Sequence, residues 1–528
     1  MIENRIYGPP GTGKTTFLTN LVSKAAAKYG AGSVIVTSYT TAAAAEVAER
    51  AGEIPEDNIG TLHKFCYAAI NRPPIAETKS SLLKEWNEHA PAYRMSMPGC
   101  RDINAGLEYG EHALLGDALL AHATLLRNRM IPPEQWPANV QTFHDLWTSW
   151  KIGAGCIDFT DMLDIALAQT TEAPSCPRVI FTDEAQDCTA LQFAVLKKWA
   201  QTCERLVMVG DDDQCIYQFA GATPEAFAIG QPGEHDHVLS QSYRVPHAVW
   251  EKASEWISRV RDRVTKTYAP RPEPGFVHRS AATYKDGQRI LAEVTKQLQT
   301  YSSVMVITSC SYMLDPIKKA LTDAGVPFHN PYRLIRADWN PLKLQKGTTM
   351  AERVMAIFGP EMHDRKWWTP AEVAAFASVL KADGVFVRGM KGKVENIPTV
   401  NLDTLFEYFT PEAVNALMTN DLDWWNEHLL NHETQAKAAY PLRIAQNLSP
   451  WALDTTTNKP QVIIGTIHSV KGAEADVVIM APDLSQQGMV EWTGAGRAAI
   501  RRVFYVGLTR ARHGVILLQP ASPITCDI

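Results

Sequence analysis

Nine consecutive residues near the amino terminus, Gly8-Pro9-Pro10-Gly11-Thr12-Gly13-Lys14-Thr15-Thr16, have the types and spacing of a loop that wraps a phosphate. The glycines free the backbone to curl so that several N–H groups face one anion. Lys14 adds a point charge for the outer phosphates, and the Thr15 hydroxyl is a ligand of the kind Mg²⁺ accepts. The run fits G-x-x-x-x-G-K-[ST] without a mismatch, which implies ATP or a related triphosphate with Mg²⁺. Asp183 and Glu184 follow the apolar run Val179-Ile180-Phe181-Thr182. Two adjacent carboxylates beside such a loop can divide the work, Asp183 holding Mg²⁺ through its water shell and Glu184 polarising the attacking water. One carboxylate alone would read as a helix cap.

Gln214 follows the apolar run Leu206-Val207-Met208-Val209 and is placed to sense a γ-phosphate. Tyr217 and Phe219, two residues apart, fit either a packed core or ring faces offered to unstacked bases. Thr61 and His63, in Gly60-Thr61-Leu62-His63, taken alone fit capping and packing better than a ligand role.

These groups need a scaffold, and the hydrophobic pattern predicts a doubly wound one. Arg5-Ile6-Tyr7 reads as a strand; Phe17, Leu18, Leu21, Val22, Ala25 and Ala26 recur at helical spacing; Gly30 stops the helix; and Val34 to Thr37 reads as a buried strand. A second helix is expected over Thr41 to Arg50. Residues 71–155 carry helical patterns, Ser80 to His89 and Glu111 to Asn128, and read as an insertion in the first domain. Farther on, strands are expected at Val304 to Thr308, Val462 to Ile464, Val477 to Met480, Val503 to Val506 and Val515 to Leu518. Residues 333–455 read as helix-rich, with Trp367-Trp368 and Trp424-Trp425 as core residues.

At 528 residues the chain needs several domains, and its formal charge of −6 confines any nucleic-acid site to a local groove. The nine cysteines form no C-x-x-C pair, which argues against zinc or a disulfide framework and predicts a reduced, cytoplasmic setting. No apolar run approaches the ~20 residues that span a bilayer, and the first strand starts too near Met1 for a signal peptide, so no membrane partner is expected.

Six or more motifs in order make the chain resemble superfamily 1 helicases of the UvrD, Rep and PcrA type. They are the phosphate loop, Asp183-Glu184-Ala185-Gln186-Asp187, Gly210-Asp211-Asp212-Asp213-Gln214-Cys215-Ile216-Tyr217-Gln218-Phe219, Leu239-Ser240-Gln241-Ser242-Tyr243-Arg244, Thr466-Ile467-His468-Ser469-Val470-Lys471-Gly472-Ala473-Glu474 and Tyr505-Val506-Gly507-Leu508-Thr509-Arg510-Ala511-Arg512. Thr61-Leu62-His63 and Asp158-Phe159-Thr160-Asp161-Met162-Leu163 resemble two further motifs.

The resemblance implies an α/β fold of two RecA-like P-loop NTPase domains, each a mostly parallel sheet flanked by helices and each carrying a helical insertion. The limits it suggests are 1–70 with 156–238, insertion 71–155, then 239–332 with 456–528, insertion 333–455. It implies ATP and Mg²⁺ as cofactors, and single-stranded DNA and its junctions with duplex as partners. The implied activity is 3′–5′ translocation in replication, repair or recombination. Carried over, Arg244 and Arg510 would reach the γ-phosphate, Tyr243 would stack on the base and Glu474 would hold the ribose. Thr61, His63, Thr466, His468, Tyr217 and Phe219 would meet the DNA.

Three departures carry expectations. Only seven residues precede Gly8, where the family has a glutamine motif that reads adenine, so looser base choice is expected. Phe219-Ala220-Gly221-Ala222 stands where Trp-Arg-Gly-Ala is usual, which predicts weaker coupling of hydrolysis to unwinding. Ten residues follow Leu518, too few for a fused nuclease domain. Two other readings compete: a translocase that displaces proteins with little unwinding, and a P-loop phosphotransferase. The latter leaves Arg510, Tyr243 and Glu474 without a role.

Overall fold

The computed structural model describes every residue except 39–53, 98–113, 229–231, 335, 337, 343–348, 360–366 and 447–459. The helix expected over Thr41 to Arg50 lies outside the described residues, as does the start of the one expected from Glu111. Two compact units emerge, Met1–Val277 with Leu484–Val515 and Ile524–Ile528, and His278–Asp483 with Ile516–Pro523.

The first unit is built on strands β1 (Ile2–Tyr7), β2 (Val34–Ser38), β3 (Ile59–Thr61), β4 (Val179–Asp183), β5 (Arg205–Gly210) and β6 (His237–Val238), in the order β3-β2-β4-β5-β1-β6. All the pairings are parallel. The alternation of side chains shows why the central strands read as unbroken apolar runs. Ile6, Val34, Val36, Val179, Phe181, Val207 and Val209 bury against Leu18 and Val22 on one face. Tyr7, Ile35, Ile180, Leu206 and Met208 bury against Leu163, Leu191 and Trp199 on the other. Helices on both faces leave no polar side to alternate with. The first helix, Lys14–Tyr29, stops where Gly30, at φ 87, returns its N–H to the Ala26 carbonyl.

Helices Ser80–His89, Leu115–Asn128 and Ala138–Ala154 pack around a core of Leu83, Trp86, Phe143, Trp147 and Trp150. Buried charge ties these helices to the helix Phe159–Gln169 and its cap. Arg127 donates to Asp158, Asp161 and Asp164 at 3.1, 2.6 and 2.9 Å, and Lys151 donates to Asp158 at 2.6 Å. Burial would raise the Asp158 carboxyl, but Arg127 and Lys151 hold it well below the usual carboxylate range. Asp158 also caps the helix Phe159–Gln169 in a reciprocal box with Asp161.

The same unit holds β7 (Gln241–Pro246) paired with β8 (Ala269–Arg271), and the helices His247–Ile257, Gln486–Thr493 and Arg497–Leu508. The last corrects an expectation: Val503-Phe504-Tyr505-Val506 is helix, not strand. Every residue from Arg502 to Leu508 is buried, so the helix lacks the polar stripe that would reveal its period.

In the second unit β10 (Val304–Thr308) pairs in parallel with β12 (Val462–Thr466) and β13 (Ala475–Met480), and β11 (Phe328–His329) pairs with β12. The ends of β9 (Phe276–Arg279) and β14 (Ala511–Leu517) complete a six-stranded order β11-β12-β10-β13-β14-β9. Helices from Met350 to Gln446 share a core around Phe358, Phe376, Leu405 and Trp425. Trp367, Trp368 and Trp424 pack half-buried against it, as expected of core residues.

Candidate nucleotide and nucleic-acid site

Parallel strands deliver their carboxyl ends to one edge, and in the first unit β1, β4 and β5 bring Tyr7, Asp183 and Gly210 there. The Gly8 N–H donates to the Gly210 carbonyl at 2.8 Å, fixing the start of the phosphate loop on β5. The Thr12 hydroxyl donates to the Pro9 carbonyl at 2.8 Å, and the Lys14 Nζ to the Gly8 carbonyl at 2.8 Å. Gly11 and Gly13 have φ of 71° and 76°, the left-handed region that favours glycine. Gly11 is constrained twice, because a Cβ there would lie 2.4 Å from the Arg244 Cβ.

That close approach joins β7 to the loop. The Ser242 hydroxyl donates to the Pro10 carbonyl at 2.7 Å and accepts from the Val245 N–H at 3.1 Å, while the Tyr243 N–H donates to the Gly11 carbonyl at 2.8 Å. Arg244 is held beside the loop and Tyr243 is left 71 % exposed. A cavity of about 510 Å³ opens next to Thr12, Gly13 and Thr16, lined also by Phe17, Asn20, His237, Gln241 and Tyr243. Its size suits a nucleoside.

Glu184 follows β4 in a left-handed conformation, φ 50° and ψ 40°, and the Asp183 Oδ1 accepts its N–H at 2.9 Å. Gln186 spans the ends of β4 and β5, donating from Nε2 to the Glu184 carboxylate and accepting the Asp211 N–H at Oε1, 2.9 Å away. Burial pulls the Lys14 ammonium below its ordinary pKa, opposed by Glu184, Asp211 and Asp183. That field is one an Mg²⁺-bound triphosphate would complete, with Thr15 and Asp183 as the oxygen donors.

Gln214 donates from Nε2 to Asp211 Oδ2 at 2.6 Å, and Arg510 reaches it from the helix Arg497–Leu508, donating to Oε1 at 3.3 Å. Asp211, Asp212 and Asp213 lie close enough together to hold a cation, and Lys266 fills that role. Its Nζ is 2.8 Å from Asp211 and 2.9 Å from Asp213 and also bonds Asp212, while Arg263 donates to Asp213 at 2.7 Å. Burial would lower the Lys266 ammonium, but the three carboxylates hold it well above the ordinary lysine value. With the Lys266 ammonium in its centre, this triad is a strut under Gln214 and not a metal site.

Thr61 caps the helix Leu62–Ala69, accepting from the Lys64 N–H at 3.3 Å. Burial pushes the His63 imidazole down to about 4, so it is neutral near pH 7. Tyr217 is buried and Phe219 half-buried, their ring centroids 6.1 Å apart. Asn128 and Arg129, at the end of an insertion helix, donate to the Ala220 and Gln218 carbonyls at 3.2 and 3.0 Å and brace that turn. Thr466, His468 and Glu474 belong to the second unit, at the end of β12, in the turn after it and just before β13.

Four participants carried no role in the sequence reading: Gln186, Ser242, Arg263 and Lys266. Gln186 and Ser242 stand inside quoted motifs. Arg263 and Lys266 lie outside all of them, and only a surplus of adjacent aspartates hinted that buried cations must answer.

A parallel sheet with a phosphate loop after β1, two carboxylates at the end of β4 and a Gln–Arg pair at the end of β5 defines a RecA-like P-loop protein. Residues 3–230 match the UvrD/REP helicase N-terminal domain and residues 461–518 the UvrD-like helicase C-terminal domain. The chain belongs to the UvrD/REP helicase family. It is similar to the ATP-dependent DNA helicases UvrD1 and UvrD2 of Mycobacterium tuberculosis. UvrD1 is 26% identical, the match covering 61% of this chain and 47% of the relative, and UvrD2 is 25% identical, covering 60% and 51%. PcrA of Leuconostoc citreum is 21% identical, covering 61% and 47%. The chain spans about half the length of these curated relatives. Among the described residues no helix is long and apolar enough to cross a membrane.

The cavity bears on base choice. Asn4 and Arg5, the polar residues just before the loop, do not line the cavity and are engaged elsewhere, Asn4 with the His235 carbonyl at 3.0 Å and Arg5 with Glu3 and Asp236. In the cavity wall the Gln241 Nε2 is committed to the Ser242 and Pro270 carbonyls at 2.8 and 3.0 Å. A base that rested mainly on the exposed Tyr243 ring would be held by a contact nearly blind to identity. GTP is expected to support DNA-stimulated hydrolysis within about tenfold of ATP in kcat/KM, a gap of ~1.4 kcal/mol or less. Steady-state kinetics with both nucleotides check this, and an ATP preference above about a thousandfold would mean a buried polar group reads the base.

Proposed function

We propose that this protein is an ATP-dependent DNA helicase that translocates 3′ to 5′ on single-stranded DNA and acts at junctions of single strand and duplex. The observation that carries the reading is the convergence in one compact unit of the phosphate loop, the Asp183-Glu184 pair and the Arg510–Gln214–Asp211 chain of hydrogen bonds. Mg²⁺-bound ATP supplies the phosphoanhydride whose cleavage drives movement. Loop amides and Lys14 bind its phosphates, Thr15 and Asp183 offer oxygen ligands for the ion, and Glu184 takes a proton from the attacking water. Gln214, Arg244 and Arg510 orient and neutralise the γ-phosphate region; Tyr243 stacks on the base and Glu474 holds the ribose.

DNA contacts are assigned to Thr61, His63, Tyr217, Phe219, Thr466 and His468. A neutral His63 fits a hydrogen bond better than a charge contact with phosphate. Domain limits of 1–70 with 156–238 and 239–332 with 456–528 are part of the proposal, and they divide the chain differently from the two compact units, which put 239–277 and 484–515 with the first; a cytoplasmic setting is assigned, and the pathway is replication, repair or recombination. ATPase rates with and without single-stranded DNA test the core of this reading; turnover indifferent to DNA would favour a phosphotransferase.

Polarity rests on the Gly210 to Ala222 stretch, which resembles the UvrD-type motif. Unwinding is expected from a 3′ tail and not from a 5′ tail, read on partial duplexes with one tail each. Product from the 5′ tail alone would reverse the polarity and leave the motor intact.

A second reading has its own observation. Ala220 has no side chain to reach a phosphate, and its turn is braced through backbone carbonyls by Asn128 and Arg129. A protein-displacing translocase with weak unwinding fits that turn, and a streptavidin-blocked single strand assayed beside a forked duplex separates the two.

A further inference from the structure

Away from the phosphate loop, the first unit carries a cluster of arginines around two tryptophans. The helices His247–Ile257 and Arg497–Leu508 bond each other reciprocally, the Trp256 indole N–H donating to the Arg501 carbonyl at 2.9 Å and Arg501 Nη1 to the Trp256 carbonyl at 3.3 Å. Trp492, from the helix Gln486–Thr493, stacks on Trp256 with centroids 5.7 Å apart and planes 11° from parallel. Arg501 lies 5.1 and 5.3 Å from the two ring centroids, Arg497 lies 5.4 Å from Trp492, and Arg259 lies 5.7 Å from Trp256.

Packing against the rings accounts for the inner faces of these guanidinium groups. It does not account for their charge. Arg259 pairs with Glu255 at 2.6 Å, an acid it shares with Lys252. The nearest acid on the neighbouring helix, Glu491, is hydrogen-bonded by Gln487 and pushed up by burial, so it is a poor counter-ion. Neither Arg497 nor Arg501 has an ion pair among the described residues. Among the described residues Arg497 donates to the protein only from Nε, to the Trp492 carbonyl at 2.8 Å, and the buried Nε of Arg501 has no partner. Burial and then the repulsion of Arg259 and Arg497 pull the Arg501 guanidinium below its ordinary value. In a chain of net charge −6, two cations held together without an anion are a place where one belongs.

We propose that Arg497 and Arg501, with Arg259 at their edge, form a second DNA contact that grips the phosphate backbone of the duplex arm of a tailed substrate. The rings argue for duplex. Platforms for single strands offer aromatic faces to bases, whereas here Trp256 is buried and the arginines lie over the pair, leaving charge as what the surface presents. The inference rests on the helicase reading above.

The test compares the wild type with the Arg497→Gln/Arg501→Gln double variant, measuring affinity for a 3′-tailed duplex and for a matched single strand across salt concentrations. Each lost phosphate contact removes about 0.9 from the slope of log K against log salt, so the tailed-duplex slope should become shallower by about 2. Affinity at low salt should fall about tenfold, while single-strand affinity and single-strand-stimulated ATPase stay at wild-type values. Arg497→Gln alone, at an exposed position, keeps the test valid if the double variant is poorly folded, with about half the slope change expected. Unchanged duplex binding, or an equal loss on single strands, overturns the proposal and leaves the helicase reading standing. A wild type that binds neither DNA overturns both.

Discussion

Glu184→Gln is expected to bind ATP and single-stranded DNA as the wild type does and to lose at least about a hundredfold in turnover, roughly 2.7 kcal/mol of barrier. The structure suits the experiment. Glu184 accepts a hydrogen bond from Gln186, which a glutamine at 184 can still accept through its amide oxygen, so the bridge between the ends of β4 and β5 survives. What disappears is the ability to take a proton from water. Single-turnover hydrolysis with saturating DNA, beside equilibrium binding of a nucleotide analogue, separates the two steps. DNA-stimulated turnover within a few fold of the wild type would remove Glu184 from the reaction.

Arg510→Ala carries the other large expectation, about a thousandfold fall in kcat with KM for ATP changed by less than about threefold, as for an arginine that stabilises charge mainly in the transition state. Arg510 is 2 % exposed, and among the bonds that hold its fork are Nε to the Val506 carbonyl at 2.9 Å and Nη2 to Gln214 at 3.3 Å. Lysine keeps the charge but cannot make both bonds in that geometry, so Arg510→Lys should retain the fold and recover only part of the rate. A loss of less than tenfold in both variants would mean that Arg510 braces Gln214 and does no more. Because Gln214 hangs on Asp211, and Asp211 on Lys266, the chain of bonds joins Arg510 to a buried charge cluster.

Family membership was legible because its carriers are local. The glycines, Lys14 and Thr15 act within one turn of chain, and Asp183-Glu184 need only the strand that precedes them. The strands β1, β2, β4 and β5 were legible for a related reason, since burial on both faces writes each as a short apolar run closed by a turn signal. Failure came where the same run served another structure. Val503 to Val506 is helix because its neighbours enclose it on all sides, and a segment without a polar face has no period to read.

By itself the sequence determined the chemistry available to this protein: a phosphate loop, a carboxylate pair, a glutamine and two arginines, in an order that names a family. Tertiary structure alone decided which distant groups complete them. It put the Ser242 hydroxyl on the Pro10 carbonyl, Gln186 between two strand ends, and Lys266 among three aspartates that spacing would have offered to a metal. It also gathered Arg501 onto Trp256, a residue 245 positions away in the chain. The physical reason is common to all of these. A hydrogen bond or ion pair is decided within about 3 Å, and buried polar groups must find such partners wherever the packing of apolar faces carries them. Apolar patterning specifies that packing only as a whole, so no stretch of sequence shows which partner it will meet.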